Sequence, residues 1–180
     1  ARSFHREHSF AQPVERESFT LLRRVRLFDE RVLPSKGKLI KTPEGRAFLL
    51  PARWKANHEA GASGGMTCAR PKSYKDCTEG GVEIIYGFTP DVEYFNLDDT
   101  NQILQMFCGD DGRTGFLLER ELRRNKYHEA EYRKYRIDCT GEDFEAQTWY
   151  FAGGNNLIKI SRVPQAEADS IVDSFDLFPD

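Results

Sequence analysis

The stretch that most constrains the fold is the C-terminal run from Phe144 to Phe178, where strand, turn, strand and helix patterns follow one another with almost no slack. Phe144, Ala146, Thr148, Tyr150 and Ala152 alternate with Glu145, Gln147, Trp149 and Phe151, the period-2 pattern of a strand with one face buried. Gly153-Gly154-Asn155-Asn156 tolerates positive φ and lets the chain reverse. Leu157 to Val163 reads as the returning strand. After Pro164, the spacing of Ala168, Ile171, Val172 and Phe175 puts four apolar side chains on one helix face. A hairpin followed by an amphipathic helix is a sheet with a helix packed on it, so the class is α+β.

At 180 residues the chain fits one domain with a real core, rich in Phe and Tyr. No apolar run approaches the roughly 18 residues a membrane span needs. The net charge of −3 is unevenly laid out. Residues 1–60 carry 13 Lys/Arg against 7 Asp/Glu, and residues 61–180 carry 13 against 22. An acidic main body disfavours nucleic acid as a partner.

Cys68, Cys77, Cys108 and Cys139 form an even set with no C-x-x-C and no zinc-finger spacing, which argues against a structural metal. Four cysteines allow three pairings. Cys68 and Cys77 flank a short polar loop and suit a local bridge. Cys108 ends an expected helix and Cys139 an expected strand, a long-range staple. Bridged cysteines point to a secreted or periplasmic protein; the alternative is a cytoplasmic chain with free thiols.

Residues 1–17 are polar and aperiodic, so the expectation is a flexible arm ahead of one domain over 18–180. His5, Glu7 and His8 in that arm lack the fourth ligand and rigid frame of a metal site. Ser18–Leu33 fits either a helix stripe (Leu21, Val25, Phe28, Val32) or a strand face (Leu21, Val25, Leu27), with a strand preferred. Two strands flank the Pro43-Glu44-Gly45 turn, and Asn57–Gly65 reads as loop. Gly80–Phe88 has the near-continuous apolar character of a central strand. Asp98 or Asp99 can cap a helix through Ile103 and Leu104 that Gly109 ends. Asp110-Asp111-Gly112 is a turn that fails the EF-hand spacing. Phe116–Lys126, with Glu119 and Arg123 at i, i+4, predicts a surface helix. Tyr127–Cys139 predicts a strand, with a bulge between Tyr132 and Tyr135 to bring both rings to one core face.

With this order in place, three stretches resemble PsbP-like and Mog1-like domains. Gly45-Arg46-Ala47-Phe48-Leu49-Leu50-Pro51-Ala52-Arg53-Trp54 matches a G-x-x-F-x-x-P-x-x-W opening, Tyr132–Ile160 is similar to the final meander, and Ala168–Phe175 looks like the closing helix. The resemblance spans about 38–177. It implies an α/β/α sandwich around an antiparallel sheet. Its members are mostly non-enzymatic: photosystem subunits, a Ran-binding factor and bacterial envelope proteins, some of them toxin-neutralising partners. The pattern carries no catalytic residues over.

The function these readings favour is a non-catalytic module that binds another protein, with an immunity or inhibitor protein against an enzyme or toxin as one specific form. No cofactor is expected. Trp149, Phe151, Tyr86, Tyr94 and Phe95 are interface candidates on condition that they are exposed, since interfaces enrich aromatics. Asp98, Asp99, Asp110 and Asp111 would meet a basic target. The first alternative is a hydrolase using Ser63, because Gly61-Ala62-Ser63-Gly64-Gly65 matches G-x-S-x-G. His58 or His128 would be its base, and Glu129 and Glu131 are further acid–base candidates. A β-rich carrier of a small ligand is the second alternative.

Overall fold

The computed structural model describes residues 37–61, 64–90 and 95–178. The arm at 1–17, the strand expected over Ser18–Leu33, Ser63 and Tyr94 lie outside the described residues. The first described element is a hairpin of β1 (Lys38–Lys41) and β2 (Ala47–Leu50), closed by the expected turn with Gly45 at φ 71°. Only glycine adopts that φ without strain. The sheet strands follow as β3 (Trp54–Glu59), β4 (Met66–Pro71) and β5 (Gly81–Tyr86), then helix α1 (Thr100–Cys108). After it come β6 (Gly112–Arg124), β7 (Glu129–Cys139), β8 (Glu142–Phe151), β9 (Asn156–Ser161) and helix α2 (Gln165–Ser174).

The seven strands β3 to β9 form one antiparallel sheet in the order β3-β4-β5-β9-β8-β7-β6. One face is covered by α2 and the β1–β2 hairpin, whose Phe48, Ile171 and Phe175 pack with Trp149 and Ile158 of the sheet. The other is covered by α1 and the segment before it, whose Leu97, Ile103 and Leu104 pack with Tyr135, Ile137 and Leu157. Two covered faces make the α/β/α sandwich. They also explain why β8 is buried without interruption from Ala146 to Phe151: alternate side chains enter alternate cores.

That geometry corrects the expected bulge in β7. Tyr132 and Tyr135 are both buried, but they lie in different cores, so the strand needs no extra residue between them. The register shifts fall on β6 instead, at Arg113 and Leu118.

Two further expectations are corrected. Asn57–Gly65 is not all loop, because Trp54–Glu59 pairs with β4 along its whole length as an edge strand. Phe116–Lys126 is not a helix: β6 pairs with β7 from Gly112 to Arg124. The misleading signal was Glu119 and Arg123. Residues four apart share a face in a strand as well as in a helix, and the two are ion-paired at 3.1 Å along β6.

Helix α2 carries a charge problem of its own. Asp169 and Asp173 stand four apart, and burial raises both carboxyl pKa values. Burial first, then the Asp169 charge, pushes Asp173 up to about 6. A folded pKa above the unfolded value means that stability is lost as pH rises from about 4 through 6. Asp173→Asn is expected to raise stability by about 1–2 kcal/mol at pH 7.5, discounting the shift for partial solvent exposure, and to do almost nothing at pH 4. Urea unfolding at the two pH values measures the difference; equal gains at both would assign the effect to something other than charge.

Candidate docking surface

Strand β6 is the edge of the sheet: β7 pairs with one side, and no other described strand pairs with it. Thirteen residues is long for a strand that has a described neighbour on one side alone. Its first half approaches α1 closely. A Cβ on Gly112 would sit 2.9 Å from Leu104 Cβ, so that position needs glycine for the helix to lie where it does, and one on Gly115 would sit 3.2 Å from Leu104 Cγ, a tight contact that the leucine side chain would have to ease. Immediately after Gly115, three large apolar residues are exposed: Phe116 at 59%, Leu117 at 38% and Leu118 at 51%.

Pairing with β7 fixes where these side chains stand. Phe116 lies opposite Arg136 and Leu117 opposite Tyr135, hence on opposite faces of the edge, while Leu118 occupies the bulge. Phe116 also walls a shallow cavity of about 270 Å³ with Thr114, Arg136, Asp138 and Asp143. Ion pairs border the strand: Arg136 with Asp143 at 2.5 Å, Arg120 with Asp98 at 2.8 Å, and the buried Arg133 with Asp98 at 2.9 Å and Glu131 at 3.0 Å. Phe116 and Leu117 thus bracket the open edge from the two faces of the sheet, and exposed large apolar groups bordered by polar ones mark a candidate protein contact surface.

The aromatic candidates distribute differently. Trp149, Phe151 and Tyr86 are buried core residues, so the exposure that a direct interface role requires is missing. Burial also pushes the Tyr86 hydroxyl pKa up to about 12, and that hydroxyl donates to Thr67 Oγ1 at 2.8 Å. Phe95 is half-buried, packed edge-on against Phe88 with ring centroids 5.5 Å apart. Among the acids, Asp98 is spent on its two arginines, and Asp99 accepts from the backbone N–H of Asn101 at 2.9 Å as the cap of α1. Asp110 and Asp111 remain exposed in the turn that leads into β6, at one end of the apolar edge.

Both bridges form, Cys68 with Cys77 and Cys108 with Cys139. Among the described residues no three His, Cys, Asp or Glu converge to hold a metal ion. His58 has both ring nitrogens engaged, Nε2 with Glu44 at 3.2 Å and Nδ1 with Thr67 Oγ1 at 3.2 Å. His128 Nε2 is held by Asp176 at 3.0 Å and the Leu177 N–H at 3.1 Å. His58 thus has no free ring nitrogen to act as a base, whereas the contacts of His128 run through Nε2, and Ser63, the nucleophile either would serve, lies outside the described residues. Glu131 is bound to Arg133, and Glu129 is exposed on β7.

The open β6 edge is not legible in the sequence, because Phe116-Leu117-Leu118 falls within the expected helix. The available signal was Gly112 and Gly115 just before it, which are poor helix residues.

Neither known family models nor curated proteins match the chain. Among solved structures, it is similar to the solution structure of cyanobacterial PsbP (CyanoP) from Synechocystis sp. PCC 6803, at 17% identity and a TM-score of 0.50, over 78% of this chain and 92% of that one. A crystal structure from Bacteroides thetaiotaomicron VPI-5482 also matches, at 18% identity and a TM-score of 0.42, over 78% of this chain and 48% of that one. The antiparallel sheet between two helical layers, together with the match across nearly all of the cyanobacterial protein, gives this chain a PsbP-like fold.

Proposed function

We propose that the chain is a non-catalytic protein-binding module of an oxidising, secreted or periplasmic compartment, and that it docks its partner along β6. The carrying observation is the exposed Phe116-Leu117-Leu118 run on an edge that no other described strand pairs with. A partner strand laid beside β6 would take up its free backbone groups while its side chains covered the apolar run. The bulges at Arg113 and Leu118 suit selective docking, since they interrupt the flat template that open-ended aggregation needs. Two disulfides support the compartment. An enzyme or toxin neutralised by this module is the specific form in which Asp110 and Asp111 would meet a basic rim.

The test is affinity capture from the source organism with wild type and with Phe116→Asp/Leu118→Lys. Both side chains are exposed, so the melting temperature should hold. Binding of the captured protein should weaken by at least about tenfold. Equal recovery by the folded variant would remove β6 as the docking edge.

A further inference from the structure

At the far end of the sheet from β6, the start of β3, the end of β4 with the residues after it, and the start of α2 enclose an open groove of about 520 Å³. Trp54 lies at its floor, and Pro71, Tyr74 and Pro164 form its walls. The buried Trp54 is fixed by donating its Nε1–H to Glu167. Arg53 and Lys72 stand exposed at the rim, held side by side by a hydrogen bond of 2.9 Å from Lys72 N–H to the Arg53 carbonyl. Neither pairs with a carboxylate among the described residues.

The wall is rigid for two reasons. The Cys68–Cys77 bridge closes the loop that carries Lys72 and Tyr74. Within that loop the buried Arg70 donates its Nε–H to the carbonyls of Tyr74 at 3.3 Å and Lys75 at 3.1 Å. A groove already held in shape costs little ordering on binding.

We propose that this groove binds an acidic, proline-containing peptide in extended form. Aromatic and proline walls suit stacked pyrrolidine rings, and a peptide already extended loses little entropy on docking. The charge follows from the lining itself, where the exposed Arg53 and Lys72 face Glu167 alone, and that carboxylate already accepts from Trp54 Nε1–H. Single-stranded nucleic acid fits less well. It stacks successive bases on several exposed rings, and with Trp54 only 3% exposed the groove offers Tyr74 as its one partly exposed ring, enough for a pyrrolidine ring beside Pro71 and Pro164.

The test is fluorescence polarisation with a labelled peptide of alternating glutamate and proline, against a lysine–proline version and a single-stranded oligothymidylate. Wild type should bind the acidic peptide saturably. Arg53→Glu/Lys72→Glu should weaken it by at least about tenfold and reverse the preference toward the lysine peptide, a gain that misfolding cannot produce. Phe116→Asp/Leu118→Lys should leave it unchanged, which separates this site from the β6 edge. Equal binding of the two peptides, tighter binding of the oligonucleotide, or no saturable binding of the acidic peptide would overturn the proposal.

Discussion

Trp149→Ala is expected to destabilise the protein by about 3–5 kcal/mol, the usual cost of emptying a buried aromatic site. Trp149 is 1% exposed on β8, between Tyr132 of β7 and Ile158 of β9 in the pairing register. Its ring meets Tyr132 edge-on at a centroid distance of 5.0 Å, and the Arg123 guanidinium lies over both rings. Truncation therefore opens a cavity where three central strands meet, and rigid strands cannot collapse to fill it. Equilibrium urea unfolding followed by circular dichroism measures the loss. A change below about 1 kcal/mol would place the indole outside the core and return it to the list of interface residues.

Removing the second disulfide is the other large expected effect. Cys108 and Cys139 are 31 residues apart and join the end of α1 to the end of β7, while Cys68 and Cys77 are 9 apart. In the chain-entropy account, the longer loop contributes about 3–4 kcal/mol and the shorter about 2.5–3. Cys108→Ser/Cys139→Ser should thus cost more than Cys68→Ser/Cys77→Ser, and its loss should loosen α1 from the sheet first. Guanidinium unfolding of the two double variants gives the order. The reverse order would show that the bridges act through native packing and not through the unfolded chain.

The legible part of the fold was where one physical signal stood alone. The run from Phe144 to Phe175 forms the expected strand, turn, strand and helix because their periods do not overlap, although β8 is buried on both faces and not on one, and Asp99 and Gly109 bound α1 through their side-chain and backbone capping chemistry. Errors gathered where two periods coincide or where burial is two-sided. Glu119 and Arg123 fit either element, so β6 was read as a helix, and the pairing energy that decides the matter comes from β7, remote from any local pattern. Tyr132 and Tyr135, an odd number of residues apart, point to opposite faces, and in a sandwich each face has a core of its own, so the expected bulge is unnecessary. The candidate surface suffered most. Large aromatics such as Trp149 and Phe151 are common to cores and interfaces alike, and only tertiary burial separates the two.

The most direct test of docking on β6 is amide hydrogen exchange on the protein alone and in complex with its captured partner. Strand addition predicts that the amides of residues 114–122 pointing away from β7 gain strong protection in the complex, while those already bonded to β7 change little. Protection confined to another surface, with the β6 amides exchanging as fast as in the free protein, would contradict it.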